Sequence, residues 1–298
     1  MKKLFFVLLI PFLAACSNAN KHYKRVVIFG VDGAGGEFAS FDTPNFDRIF
    51  SKGSINHNGV SQSPTISAQN WGAMIYGVGP NTHQKTNGYI ASNKHTDENL
   101  PSFIKTHSIT HKDATYYSAV NWGPINYGLF EDLETLTKDN ISSEYSFLSS
   151  SEVDDKVAEH VIRRLDDHDD AIVFMQFDSV DGAGHIGGYE SDGYKNAIQH
   201  IDTLIGQIYD AYAEKNLLDS TLFMCVSDHG HTLTGGHGGD SSHEKAVTIA
   251  VNGGRGDIIQ GSCESYTTID VAPIVLSALC EEIPSHYEGK VPNNMFKK

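Results

Sequence analysis

The chain has 298 residues, of which 22 are Lys or Arg and 37 are Asp or Glu, giving a formal charge of −15. So acidic a surface excludes non-specific binding to nucleic-acid duplexes, whose phosphates require Lys and Arg to neutralise them. The length suffices for one large domain with a substantial core, and the carboxylate excess suits a protein that collects divalent cations.

The first segment is read as a leader rather than part of a fold. Lys2 and Lys3 precede an apolar run from Leu4 to Ala15, too short to span a bilayer comfortably, which ends in Leu13-Ala14-Ala15-Cys16. Small residues directly before a cysteine resemble the lipobox of bacterial lipoproteins, which implies lipidation at Cys16 and attachment to a membrane. Residues 1–15 then form a signal peptide, 16–24 a tether and 25–298 the working domain. Ser17 in place of aspartate resembles the pattern that sorts such proteins to the periplasmic face of the outer membrane. Cys263 and Cys280 could pair in an oxidising compartment, a pairing that sequence leaves open.

Four apolar runs are expected as buried strands: Arg25 to Val31, Ala171 to Phe177, Thr221 to Val226 and Ala246 to Val251. Between them lie helical patterns. Thr43-Pro44 followed by Phe46, Ile49, Phe50 and Gly53 has the cap, first-turn proline and closing glycine of a short helix. Ser67 is expected to cap a helix from Ala68 to Tyr76, and Ser151 one that carries Val153, Val157, Val161 and Leu165. Tyr194 to Tyr212 and Ile269 to Leu279 complete the set. Strands alternating with helices predict an α/β domain, a mostly parallel sheet sandwiched between helices. The stretch Gln84 to Asn140 looks irregular and is expected to form loops or a small cap.

Chemistry-bearing residues fall where these strands end. Asp32 closes the first strand, Asp178 and Asp181 follow the second with His185 four residues on, and Asp228-His229 closes the third with His237 eight residues later. Ligands of parallel α/β sheets gather at the carboxyl ends of strands, and carboxylate with imidazole is the donor set of zinc, with manganese or magnesium also served by carboxylates. One aspartate after a strand is more often a turn former; the argument rests on three strand ends together.

In order along the chain, VVIFGVDG, PTISAQNW with GVGPNTH, DGAGHIGG, and SDHG with GGHGG resemble the alkaline phosphatase superfamily, in particular its type I phosphodiesterase and nucleotide pyrophosphatase branch. The likeness runs from about Arg25 to Val291. It implies that Asp32, Asp228 and His229 hold one metal together with the oxygen of the nucleophile, Ser67. It implies that Asp181 and His185 hold a second metal, with His237 as third ligand and His231 and His243 as its competitors. Thr65 is the alternative nucleophile, Asn87 a substrate-binding residue, and Asp178 a strand-end cap or supporting acceptor. Two divalent ions follow, zinc or alternatively manganese, and a small phosphate ester as substrate. The residues after Ser67 lack the x-Pro-x-Arg of sulfatases. Arg255 is the one arginine near a motif, and so little positive charge favours diesters over monoesters. Three functions are expected in this order: a two-metal phosphoric-ester hydrolase acting through a phosphoseryl intermediate, a head-group transferase of the envelope, and a non-catalytic metal-binding lipoprotein.

Overall fold

The computed structural model describes residues 23–262, 265–293 and 295–297. The leader and Cys16 lie outside the described residues, as does Cys263; Cys280 is disulfide-bonded and Cys225 is a free, buried thiol. Among the described residues no helix is long and apolar enough to cross a membrane.

Seven strands form one sheet: β1 (Arg25–Val31), β2 (Ser54–Val60), β3 (Tyr116–Val120), β4 (Leu136–Asn140), β5 (Ile172–Phe177), β6 (Thr221–Ser227) and β7 (Ala246–Gly253), in the order β2-β7-β6-β1-β5-β3-β4. The five from β6 to β4 are parallel, while β7 runs antiparallel to both β6 and β2. The sheet is buried on both faces because alternate residues of each central strand feed separate cores. Val26, Ile28, Met224 and Val226 pack with Trp71 and the C-terminal helix Val271–Ala278. Val27, Phe29, Val31 and Phe223 pack against the helices Pro44–Phe50, Ser150–Asp167 and Asp192–Glu214.

Several local expectations change. The stretch from Gln84 to Asn140 is not an irregular cap: it contributes β3 and β4 and the helix Phe103–Thr110. Polar residues at the β4 edge (LTKDN) hid that strand, since an edge strand is covered on one side only. The third helix begins earlier than Ser151; Ser149 is its N-cap, in a capping box with Glu152. Ser67 is the first residue of its helix, and Ile66 is the N-cap. Tyr23, read as tether, is buried and donates its backbone N–H to Ala278 O, so the packed domain reaches back to it.

Candidate active site

Register places the key residues at one level. Val31 pairs with Phe177 on one side and with Ser227 on the other, so the next residues, Asp32, Asp178 and Asp228, leave three adjacent strands at the same edge. After β5 the chain turns at once into the helix Ser179–Gly187, which sets Asp181 and His185 four residues apart on one face. Asp154, buried in the neighbouring helix, fixes that turn by accepting the N–H groups of Asp178 and Ser179 at 3.0 and 2.9 Å. Asp154 carries no local signal, because it sits within an ordinary amphipathic stripe.

The first cluster is Asp32, Asp228 and His229, all fully buried. Asp32 Oδ2 accepts from Trp71 Nε1 at 2.9 Å and from Gln176 Nε2 at 3.0 Å. Asp228 Oδ1 accepts from the backbone of Gly33 and His229 at 3.0 and 2.9 Å. Their other oxygens, Asp32 Oδ1 and Asp228 Oδ2, have no hydrogen-bond partner among the described residues and lie 3.5 and 3.3 Å from His229 Nε2. Ser67 Oγ is 3.2 Å from the same nitrogen.

The second cluster joins Asp181, His185 and His237. His185 Nε2 is 3.3 Å from Asp181 Oδ2, and His237 Nε2 is 3.2 Å from His185 Nε2 and 3.6 Å from Asp181 Oδ1. Thr65 orients this group. Its carbonyl accepts from His237 Nδ1 at 2.7 Å, and its hydroxyl clasps the same loop by accepting from Gly238 N and donating to Gly239 O, each at 2.9 Å. Thr65 is thereby engaged, whereas the Ser67 hydroxyl faces the first cluster.

Of the competing histidines, His243 is stacked on Tyr189 at 4.0 Å and faces Glu37, and it belongs to neither cluster. His231 is buried, with Nε2 3.1 Å from Asp181 Oδ1 but neither ring nitrogen in a hydrogen bond. Two glycines make its space: a Cβ on Gly184 would lie 2.3 Å from His231 Cδ2, and one on Gly33, at φ +67°, 2.7 Å from Nε2. Asp178 is held by Gln176 Nε2 at 3.0 Å, the amide that also reaches Asp32. Asn87 Oδ1 accepts the N–H of Ala68 at 2.9 Å, covering the start of the Ser67–Tyr76 helix. Arg255 is remote, bonded to Asp219 O just before β6 begins, at the opposite end of that strand.

The electrostatics carry the same imprint. Burial, then repulsion from Asp228, Asp181 and Asp178, pushes the Asp32 carboxyl well above its ordinary range, and burial does the same to Asp228. Burial and then His237 push His229 well below its usual value. Burial also raises Asp181, but the facing His231 ring, together with the charges of His229 and His185, outweighs it and brings this carboxyl down to about 2. Asp178 is pushed up to about 7 by burial, Asp181 and Asp154.

These donors fit divalent cations. His229 Nδ1 faces Gly230 O at 3.2 Å and His237 Nδ1 faces Thr65 O; neutral rings that donate there turn Nε2 lone pairs toward the carboxylates. Lone pairs facing unpartnered buried carboxylate oxygens repel, and a shared cation converts that repulsion into coordination.

The family model for type I phosphodiesterase / nucleotide pyrophosphatase matches residues 26–237. The GPI ethanolamine phosphate transferase 2 of Aspergillus fumigatus is 25% identical over 258 residues, covering 79% of this chain and 31% of that enzyme. The transferase 2 of Kluyveromyces lactis is 24% identical over 238 residues, covering 76% and 29%. The chain therefore spans about a third of the length of these curated relatives. Among solved structures, murine ectonucleotide pyrophosphatase / phosphodiesterase 5 has a TM-score of 0.68 at 13% identity, over 91% of this chain and 100% of that one. At that identity the likeness is one of fold.

Proposed function

The chain belongs to the type I phosphodiesterase / nucleotide pyrophosphatase family of the alkaline phosphatase superfamily, and from that premise we propose that it cleaves phosphate esters by transferring the phosphoryl centre to Ser67. The observation that carries this reading is the position of Ser67 Oγ, 3.2 Å from His229 Nε2 and so within the Asp32–Asp228–His229 cluster. Asp32, Asp228 and His229 would hold one divalent ion, and Asp181, His185 and His237 a second. Bound there, the two ions, zinc by the donor set or alternatively manganese, would favour the alkoxide of Ser67 and offset charge on the attacking and leaving oxygens. Ser67 attacks phosphorus in line with the departing oxygen. The start of the Ser67–Tyr76 helix would present backbone N–H groups to the phosphate's negative charge, with Asn87 Oδ1 accepting that of Ala68. The leaving oxygen departs and takes up a proton; water then attacks the same phosphorus, breaks its bond to Ser67 Oγ, and so frees the phosphate product and regenerates the serine. The remoteness of Arg255 supports a diester preference, since this guanidinium is not at hand for a monoester's additional charge.

The test is turnover of a nitrophenyl phosphate monoester against matched nitrophenyl diesters by the zinc-loaded protein. Faster diester turnover is expected. Faster monoester turnover would make this a phosphatase on the same fold, and bound metal with no turnover of either would favour a non-catalytic binding protein.

A second reading draws on the fungal relatives, which are named as ethanolamine phosphate transferases. An acceptor other than water would then take the group from Ser67, a role suited to a protein anchored beside envelope lipids or glycans through a lipidated Cys16. Product that forms only when an acceptor is added separates this reading from hydrolysis. The anchor has its own test: Cys16→Ser is expected to move the protein from the membrane to the soluble fraction with activity retained, and wild-type protein without lipid by mass spectrometry refutes it.

A further inference from the structure

A second group of metal-binding side chains lies away from the phosphate site. His107 and His111 stand four residues apart at the end of the helix Phe103–Thr110, and Glu281 follows the C-terminal helix Val271–Ala278. One ligand atom from each lies within 4.8 Å of the others. His111 Nδ1 is 2.9 Å and His107 Nε2 4.0 Å from Glu281 Oε1, and the two imidazoles are nearly parallel with centroids 4.2 Å apart.

We propose that His107, His111 and Glu281 form a separate divalent transition-metal site, zinc by its donor chemistry, that clips the 103–110 helix to the end of the C-terminal helix. Four features support it. Two imidazoles and one carboxylate are a recurrent zinc donor set that leaves a further position open for water. His107 Nδ1 is 2.8 Å from Tyr116 Oη; with its proton donated there, Nε2 presents a lone pair toward Glu281, the supporting arrangement usual for a metal-bound histidine. Glu281 is held in place, since its N–H donates to Leu276 O and its carboxylate accepts from Thr110 Oγ1 at 3.1 Å. The group also borders a cavity of about 480 Å³ lined by Tyr23, Lys24, Ala114 and Ala171, which gives an ion access and room for water.

The site is distinct from the phosphate site in place as well as composition. Lys24 and Ala171 directly precede β1 and β5, so this cavity lies at the amino ends of the strands whose carboxyl ends carry Asp32 and Asp178. Six or seven strand residues separate the two edges by roughly 20 Å. The clip joins the segment that leads into β3 to the chain end that closes the fold, so its occupancy should be read in stability and not in catalysis.

The experiment loads the full domain with Zn²⁺ alone, removes excess, and counts zinc per chain by elemental analysis in wild type, His111→Ala, Glu281→Gln and His185→Ala. His111 is half-exposed and the glutamine keeps the shape of Glu281, so both variants should fold. His111→Ala and Glu281→Gln are expected to hold one zinc fewer than wild type, to keep wild-type kcat, and to show a smaller rise in Tm on adding Zn²⁺. His185→Ala is expected to keep the zinc that these two lose, whatever the count in the phosphate site. Equal zinc in wild type, His111→Ala and Glu281→Gln overturns the proposal, as does loss of all zinc from His185→Ala.

Discussion

The imidazole of His237 lies flat on that of His229, with ring centroids 3.7 Å apart and planes inclined by only 16°. Each ring belongs to a different one of the two candidate metal clusters, so the stack fixes the spacing of the two. The loop that carries His237 is held in turn by Thr65, two residues before Ser67. Ser67 and both clusters are thus mechanically linked, and perturbing one should be felt by the others.

Ser67→Ala is expected to lower turnover at least about 10³-fold, close to 4 kcal/mol of barrier, by removing the attacking oxygen. Thr65→Ala should cost less and act differently, loosening the His237 loop and weakening metal affinity, with Thr65→Ser restoring much of it. Rates at saturating and limiting zinc distinguish the two. A normal Ser67→Ala enzyme beside a dead Thr65→Ala enzyme would transfer the nucleophile's role to Thr65.

Chelation should abolish activity, and zinc or manganese should restore it. His185→Ala is expected to act chiefly on the metal content of the second cluster, whereas His237→Ala, which also removes the ring stacked on His229, is expected to lower that of both. Metal-free protein, verified by elemental analysis, that still turns over would remove the two-metal mechanism.

Gln176→Met keeps the bulk of the side chain but deletes the amide that reaches both Asp32 and Asp178. Losing such a supporting hydrogen bond should weaken metal affinity about 10–100-fold. Metal titration of the apo-protein gives the answer, and unchanged affinity would show that Trp71 alone suffices to orient Asp32.

Gly184→Ala would force a methyl against the His231 ring. Overpacking of this kind costs about 1–3 kcal/mol, and the strain falls on the helix that carries Asp181 and His185. A lower denaturation midpoint together with reduced activity is expected. Adding His231→Ala should return the midpoint toward that of His231→Ala alone, a coupling that independent sites would not show.

His83 gives a pH dependence. Burial, partly opposed by its contact with Gln69 O, lowers its pKa from 6.5 to about 4. The folded state therefore binds fewer protons than the unfolded state between these values, and the neutral ring's contribution is present above about 6.5 and lost as pH falls toward 4. Urea midpoints of wild type should fall more steeply across this window than those of His83→Gln. Parallel curves would place the acid sensitivity elsewhere.

The sequence by itself determined the central strands and the site's chemical character. β1 and β6 are apolar because both their faces are covered, so they read as continuous runs, and each is followed directly by an aspartate that parallel register carries to one edge. Asp181 and His185 were legible as a pair because helical periodicity makes i and i+4 neighbours. Only the tertiary structure decided what depends on contacts between distant segments. β4, at the sheet edge, carries a polar sequence that no periodicity marks. Where His231, His237 and His243 lie depends on loop paths, not on spacing, since all three follow Asp228 within fifteen residues: His237 groups with Asp181 and His185, His231 with Asp181 and His229, and His243 with neither. Asp154, Gln176 and Trp71 support the site from inside helices and a strand whose patterns are those of any core. Their roles come from geometry that long-range packing creates, which is why no local signal announces them.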